Sequence, residues 1–504
     1  MSACATTIVL ALLISGVATA QTNPAAIAAR HWREAHERAI VDEFIALLSI
    51  PNIAADRENI QRNAELIAKM LEKRGVTPKL VSIPGSNPVV FGEIRTPGAT
   101  RTLVFYAHYD GQPLDPKEWA TPPFQPVLRD KSLEKDGQII PLPAAHFDPE
   151  SRIYARSAGD DKLGVFQIIT ALDAIRAAGL KTKSNIKFAF EGEEEASSVN
   201  LEQILAANKQ LFAGDIWLIC DGPVHQTRKP LLTFGARGIA TVDITLYGPR
   251  RELHSGHYGN WAPNPAMMLA QLLASMKDES GRVLLDHFYD GIEPLSALEK
   301  KAIADAPDSD KDLMRELWLG STENAPKTLA ELINIPTLNI RGMSSSRTGA
   351  GASNVVPISA TATIDMRLVK GMDHDQTAQR LIEHVRKHGY FIVDHEPSAE
   401  ERMSHARVAK VTIHEGGYNA VRTPMDLPIS QEIIRTVESA RGKTILMPTT
   451  GGSAPLFLME RALGTRTISI PTANHDDNQH TFNENLRIQN LWDGIELMAA
   501  LLVM

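Results

Sequence analysis

Hydrophobic and polar positions follow two different rhythms along the chain. Residues 25–75 repeat at helical spacing, and Arg30 to Leu48 predicts a helix with one charged and one apolar face. Short apolar runs then alternate with a helix predicted over Lys162 to Ala178. The strands predicted here are Leu80–Ile83, Val89–Ile94, Thr102–Tyr106, Ile186–Phe190 and Ile216–Cys220. This order predicts an α/β domain whose mixed sheet is flanked by helices on both faces.

The alternation of short apolar strands with helices gives way to another pattern near Arg237, and it returns near Pro428. Between them, half-buried strands are predicted at Ile239–Leu246, Pro357–Arg367 and Val408–Ile413, with helices at 264–276 and 376–388. We therefore expect a discontinuous first domain, residues 21–237 and 426–504, and an inserted α+β domain, residues 238–425. The proline-rich segment 112–151 is expected to form a long loop or hairpin excursion.

Composition narrows the classes of function. The 504 residues are 43% hydrophobic and 22% charged, as in ordinary folded proteins. The net charge of −8 argues against a nucleic-acid partner, because such proteins usually carry a basic stripe.

The N-terminus resembles a secretory signal peptide. Thr6 to Ala18 is apolar and too short to cross a bilayer, and Ala18-Thr19-Ala20 is a small-x-small cleavage pattern. We expect residues 1–20 to be removed after Ala20 and the protein to be periplasmic or secreted; the alternative is an apolar N-terminal helix or anchor. No stable membrane insertion is expected, and cleavage leaves Cys220 without a disulfide partner.

An acidic run carries the first chemical information. Glu191-Gly192-Glu193-Glu194-Glu195 follows the apolar strand Ile186–Phe190. Carboxylates crowded at a strand end repel one another, unless water solvates them or a cation neutralises them. The run therefore suggests a metal site with one carboxylate left to move protons, the alternative being a solvated acidic turn.

Other candidate ligands also follow predicted strands, where α/β sheets bind their ligands. His108 and Asp110 form a His-x-Asp at one strand end, and Asp221 follows another. Asp160 and Asp161 precede a helix, so either could bridge two cations or simply cap the helix. Near the C-terminus His475 and His480 are rival ligands.

Together these motifs resemble the M20 peptidases, the group of zinc aminopeptidases, carboxypeptidases and dipeptidases. The matching segments are 106–110, 156–162, 191–198, 220–222 and 476–480. The resemblance implies a di-zinc catalytic domain with an inserted lid and dimerisation domain, and a homodimer formed through that lid. It also implies a cis peptide bond after Asp160.

The resemblance assigns five metal ligands. It implies that Asp160 bridges two zinc ions, that His108 and Asp221 complete one site, and that Glu195 and His480 complete the other. Two Zn²⁺ per subunit are expected, with Mn²⁺ or Co²⁺ as alternatives because carboxylate-rich sites accept several metals.

The resemblance also assigns the proton carrier. Glu194 is implied as general base toward a di-zinc-activated water, and Asp110 as the residue that orients His108. The expected substrates are dipeptides or short peptides. The alternative is an N-acyl-amino-acid amidohydrolase on the same scaffold; a non-catalytic binding protein is disfavoured because the ligands and the base are all retained.

Four further positions match substrate contacts of the carnosinase-like dipeptidase branch. His254 corresponds to a histidine that stabilises the oxyanion in the partner subunit's site, and Arg367 to an arginine that grips a substrate carboxylate. Asn354 and Ser453 correspond to smaller polar contacts. The alternatives are an exposed loop histidine for His254 and a surface cation for Arg367.

Overall fold

A computed structural model of the protein describes residues 22–452 and 455–504. The predicted signal peptide, residues 1–20, lies outside the described residues, as does Ser453. Within the described ranges, no helix combines the length and the apolar character needed to cross a bilayer.

Helices occur throughout the chain. They are α1 Pro24–Glu34, α2 Glu37–Leu48, α3 Arg57–Lys73, α4 Lys162–Ala177, α5 Leu201–Ala207, α6 Lys209–Phe212, α7 Ser255–Tyr258, α8 Pro265–Ala274, α9 Ala297–Asp305, α10 Asp310–Glu316, α11 Leu329–Leu332, α12 His374–Lys387, α13 Ala399–Ser404, α14 Pro428–Arg441, α15 Leu456–Leu463 and α16 Ile488–Leu502.

Strands alternate with these helices. They are β1 Lys79–Val81, β2 Val89–Ile94, β3 Thr102–His108, β4 Val127–Arg129, β5 Arg152–Tyr154, β6 Asn185–Glu191, β7 Ile216–Ile219, β8 Leu231–Thr233, β9 Gly235–Ala236, β10 Gly238–Tyr247, β11 Leu253–His254, β12 Thr337–Ser344, β13 Val355–Val356, β14 Ser359–Leu368, β15 Phe391–Val393, β16 Val408–Ile413, β17 Val421–Arg422, β18 Ile445–Met447, β19 Thr467–Ser469 and β20 Asn485–Arg487.

The first unit is the part of the described chain that lies outside the insertion predicted at residues 238–425. It contains an eight-stranded mixed sheet, in the order β1-β2-β6-β3-β7-β19-β8-β18. Its central strand β3 runs parallel to both β6 and β7. These strands are buried apolar runs, as expected of parallel strands covered on both faces. Because they are parallel, their carboxyl ends meet at one edge of the sheet. The mixed α/β architecture predicted from the sequence is confirmed.

A second sheet, β12-β14-β10-β16-β15, lies in the inserted segment. Residues of β14 alternate regularly between buried and half-buried, which indicates one face on a core and one toward solvent. This core is separate from that of the first sheet and includes Val242, Ile364 and Leu381. Helix α9 instead contributes Ala302 to the first core, so part of the insert packs on the first unit. The boundaries at residues 237 and 425 stay a prediction.

One local expectation needs correction. The helix predicted over Arg30 to Leu48 is broken, because the chain turns tightly at Ala35 and His36, whose N–H groups bond to carbonyls only three residues back. The segment expected to form a long loop or hairpin excursion contains strand β4, which pairs antiparallel with β5 just beyond it, and β5 pairs with β20 near the C-terminus. This three-stranded sheet joins the excursion to the segment that follows His480.

Candidate metal centre

His108 is the last residue of β3 and is fully buried. Its Nδ1 lies 3.2 Å from the backbone carbonyl oxygen of Asp110, which can only accept a hydrogen bond. Nδ1 therefore carries a proton, and Nε2 faces the Oδ1 atom of Asp160 at 3.0 Å. A carbonyl that fixes the far nitrogen in this way is the usual support of a metal-binding imidazole.

Asp160 and Asp161 have different tasks. Asp161 caps α4 by accepting a hydrogen bond from the Gly164 N–H, and it also accepts one from the backbone N–H of His108. The peptide bond between the two aspartates is cis. Asp160 directs Oδ1 toward His108 and Oδ2 toward Nε2 of His480, at 3.0 Å each. The two oxygens of one carboxylate thus face two different imidazoles.

Two groups of three donors result, and Asp160 belongs to both. One is His108, Asp160 and Asp221; the other is Asp160, Glu195 and His480, with the ligand atoms of each group within 4.8 Å of one another. Imidazole and carboxylate donors suit zinc, and also manganese or cobalt. A shared carboxylate suits two cations held about 3.5–4 Å apart. The donor set therefore fits a dinuclear centre.

The buried carboxylates and imidazoles of this cluster shift one another's pKa values. Burial, with the charge of Asp160 added, raises the pKa of Asp221 to about 6 and that of Glu195 to about 7. The hydrogen bond with Asp160 raises the pKa of His480 to about 9. Burial disfavours the charged form of Asp160, but hydrogen bonds from His108 and His480 outweigh it and hold its pKa below the usual range. Protonated imidazoles thus supply the positive charge that cations would bring.

Asp110 connects His108 to the acidic turn. Its two carboxylate oxygens accept hydrogen bonds from the backbone N–H groups of Glu194 and Glu195, at 3.1 and 3.0 Å. Burial raises the pKa of the Glu194 carboxyl well above its ordinary value; His108 acts against this, while Asp221 and Glu195 add to it. Residues of both donor groups therefore influence the pKa of Glu194.

The remaining acidic residues of the run support the turn. Glu191 accepts a hydrogen bond from the Tyr106 hydroxyl at 2.6 Å. Glu193 accepts from the Asn87 N–H and from the side chain of Asn200. Their partners belong to neighbouring loops and strands, so they shape the turn that presents Glu194 and Glu195.

The rival histidines occupy different positions. His480 reaches Asp160 and lies 3.5 Å from the nearest Glu195 oxygen. His475 belongs to neither donor group; its Nδ1 lies 3.9 Å from Asp476. The structure therefore brings His480, rather than His475, to the cluster.

Three of the four residues expected to contact substrate, His254, Asn354 and Arg367, lie in the inserted segment; the fourth, Ser453, lies outside the described residues. His254 and Asn354 are neighbours, since β11 pairs with β13 and the Ser255 N–H bonds to the Asn354 carbonyl. Both are exposed, and the His254 ring contacts His257 rather than the metal ligands. Arg367 lies on β14 beside Asp365, with Nε and Oδ1 separated by 3.2 Å. One chain thus does not bring His254 and Asn354 to the cluster.

Two residues at the centre escaped the sequence analysis. Gln112 donates from Nε2 to a Glu195 oxygen at 2.5 Å, and its position two residues after Asp110 offered a weak indication. Glu484 accepts a hydrogen bond from the backbone N–H of Asp160 at 2.9 Å. No spacing or composition marked Glu484, because most of its partners are backbone N–H groups of a segment distant in sequence.

The fold and this donor set define an α/β protein with a candidate dinuclear metal centre. Residues 104–504 match the model of peptidase family M20/M25/M40. The chain belongs to this family and is a metallopeptidase, which confirms the family predicted from the motifs.

Relatives align along nearly the whole chain. The Cys-Gly metallodipeptidase dug1 of Schizosaccharomyces pombe is 26% identical, over 90% of this chain and 94% of its own length. The human Beta-Ala-His dipeptidase is also 26% identical, over 99% and 97% respectively. The solved structure of the M20 family metallo-carboxypeptidase Sso-CP2 from Sulfolobus solfataricus is 27% identical, with a TM-score of 0.73 over 92% of this chain and 98% of that one.

Replacing His480 or His475 by alanine tests which of these two histidines binds metal. We expect His480→Ala to lose about one divalent ion per chain, because it removes one of three donors from the second group. His475→Ala is the matched control and should keep the wild-type stoichiometry. Metal content after equilibrium dialysis, measured by mass spectrometry, checks both. Loss of metal from the His475 variant alone would contradict the assignment.

Proposed function

We propose that the protein is an exported dipeptidase that uses two zinc ions, with manganese or cobalt as alternatives. The observation that carries this proposal is the carboxylate of Asp160, which offers one oxygen to each donor group. The names of the relatives support the substrate class, since the Schizosaccharomyces pombe and human proteins are both dipeptidases.

The proposed reaction is attack of water on the scissile amide carbonyl. The two donor groups would hold the cations, which when bound would acidify the attacking water and polarise the carbonyl. Glu194 accepts the proton of the attacking water at its carboxylate and delivers it to the leaving amine nitrogen. Burial supports this role, because it raises the pKa of the Glu194 carboxyl. The raised pKa lies closer to the pKa values of the attacking water and of the leaving amine.

Asp110 fixes the position of Glu194 relative to the imidazole of His108. Its carbonyl fixes Nδ1 of His108, while its side chain binds the backbone N–H groups of Glu194 and Glu195. One residue thereby orients a ligand of each donor group and the base. This arrangement limits the rearrangement needed during the reaction.

Substrate recognition is proposed for residues of the inserted segment and for Ser453. Arg367 is proposed to pair with the C-terminal carboxylate of the peptide, because a guanidinium can donate two parallel hydrogen bonds to it. Asn354 and Ser453 are proposed as smaller polar contacts. His254 is proposed to donate to the oxyanion that develops from the scissile carbonyl.

A homodimer is proposed to complete the site. His254 is exposed and contacts none of the metal ligands of its own chain, so a second chain is the natural recipient of its side chain. The edge strand β12 of the second sheet also exposes Ile340 and Met343, and Trp261 is 78% exposed beyond α7. Apolar side chains on an unpaired edge favour association.

Export is proposed from the sequence alone. The apolar run Thr6 to Ala18 and the pattern Ala18-Thr19-Ala20 support removal of residues 1–20. N-terminal sequencing of the protein recovered from its native host distinguishes a mature chain beginning at Gln21 from an uncleaved one.

Glu194→Gln tests the assignment of the base. We expect kcat on a panel of dipeptides to fall about 10²- to 10⁴-fold, because glutamine cannot accept the proton. Metal content should be unchanged. Glu202→Gln is the control, since Glu202 pairs with Arg461 at the surface. A Glu194 variant that keeps more than about a tenth of the activity would exclude this role, and turnover of N-acyl-amino acids in preference to dipeptides would favour the amidohydrolase alternative.

Arg367→Gln tests the carboxylate contact. We expect kcat/KM for a dipeptide with a free C-terminus to fall at least about tenfold, because a charge-assisted hydrogen-bonded pair is lost. The C-terminal amide of the same dipeptide should be a poor substrate for both enzymes and show little further loss. Arg315→Gln, which changes an exposed arginine of α10, serves as control. Equal losses on acid and amide would argue against carboxylate recognition.

Mixed dimers test the contribution of the second chain. Chains carrying Glu194→Gln and chains carrying His254→Ala should each be nearly inactive alone. When the two are co-expressed, a mixed dimer joins an intact Glu194 with an intact His254 from its partner, so random mixing restores about a quarter of wild-type activity. No recovery in isolated mixed dimers means that His254 acts within its own chain, whereas full activity of the His254→Ala variant alone means that His254 has no role.

A further inference from the structure

The two donor groups depend on segments that are distant in sequence. Asp160 lies before α4, whereas His480 lies in the loop that precedes β20. Asp160 can serve both groups only if these two segments keep a fixed separation. A buried side chain between them provides this link.

Glu484, four residues after His480, is fully buried. One of its carboxylate oxygens accepts hydrogen bonds from the backbone N–H groups of Gly159 and Asp160, both at 2.9 Å. The other accepts from the Ser157 N–H at 2.8 Å and from Nη1 of Arg156 at 2.9 Å. All four donors belong to the short segment that ends at Asp160.

Further contacts hold the same two segments together. The Ala155 N–H bonds to the backbone carbonyl of Glu484 at 3.2 Å. The second terminal nitrogen of Arg156 donates to the Thr481 carbonyl at 3.1 Å, and its guanidinium lies 5.0 Å from the ring of Trp119 in the proline-rich excursion. The Trp119 ring thus covers the guanidinium, whose terminal N–H groups are bonded to Glu484 and Thr481.

The fit between the segments is close. A Cβ atom added to Gly159 would lie 2.9 Å from Oδ2 of the buried Asp477, which belongs to the His480 loop. A contact this short requires one of the two groups to move. The absence of a side chain at residue 159 thus lets the Asp160 segment approach the loop that carries His480.

We infer that Glu484 is a positioning residue that sets the separation of Asp160 and His480 and thereby the affinity of the dinuclear centre. This inference rests on the proposed function, since it presupposes two bound cations. Its chemistry requires a carboxylate: four N–H donors converge on two oxygens, and each oxygen accepts two of them. A glutamine amide offers one oxygen and turns an NH₂ group toward two of these donors.

Glu484→Gln is the direct test. We expect both ions to be measurable on the wild-type protein, and the binding of at least one ion to weaken about 10- to 100-fold in the variant, as for other residues that support metal ligands. Competition with a chromophoric chelator gives the affinities. Replacing zinc by Co²⁺ gives a second readout, because an altered arrangement of Asp160 changes the visible absorption of the bound cobalt.

A matched control separates positioning from general stability. Glu496 is also a buried carboxylate that binds arginines, Arg30 and Arg33, but it lies on α16 and contacts α1. Glu496→Gln should lower the melting temperature and leave metal affinity unchanged. Arg156→Lys, which removes part of the donor set, should weaken metal binding by a smaller factor and serves if Glu484→Gln does not fold.

Three outcomes are distinguishable. Weaker binding in the Glu484 or Arg156 variant, with an altered cobalt spectrum, supports the inference. Wild-type affinities and spectrum in a folded Glu484→Gln, or in Arg156→Lys if the former does not fold, overturn it even if the melting temperature falls. Failure of the wild-type protein to bind two ions contradicts the proposed function itself.

Discussion

A single buried carboxylate must face two imidazoles at once, and the rest of the centre is arranged around this requirement. The oxygens of Asp160 lie 3.0 Å from His108 on one side and 3.0 Å from His480 on the other. Three parallel strands bring His108, Asp221 and the acidic turn to one edge of the sheet. Asp160 enters from the start of a helix and His480 from the C-terminal part of the chain, so the centre forms only when the discontinuous first unit is assembled.

This arrangement has an energetic consequence. Several carboxylates are buried beside one another, and burial raises the pKa values of Asp221 and Glu195 toward neutrality. Without cations, the cluster retains protons that repulsion and desolvation force upon it. Cations displace those protons and bind the folded chain in preference to the unfolded one, so metal binding should also stabilise the fold. The acidic cluster is thus tolerable as a site that a cation completes.

Strand ends made much of the centre predictable from sequence. His108, Asp221 and the run ending at Glu195 follow apolar strands, and parallel strands place such residues at one edge. Other features depend on contacts that no local pattern records. The residue pattern alone left Asp160 and Asp161 equally plausible as ligand or cap; the family resemblance implied Asp160 as the ligand, and the geometry shows that Asp161 binds the helix N-terminus. Glu484 could not be recognised in the sequence because its partners, three backbone N–H groups and the side chain of Arg156, lie over 300 positions earlier in the chain.

The two units contribute to separable properties. Every residue of the two donor groups belongs to the first unit, whereas His254, Asn354 and Arg367 belong to the inserted segment. Metal affinity should therefore depend on the internal order of the first unit, through contacts such as those of Glu484. In the proposed reaction, turnover depends in addition on where the inserted segment, of the same chain or of a partner, places its side chains. A change that alters the position of that segment can abolish catalysis while leaving both cations bound, so metal content and activity report on different parts of the molecule.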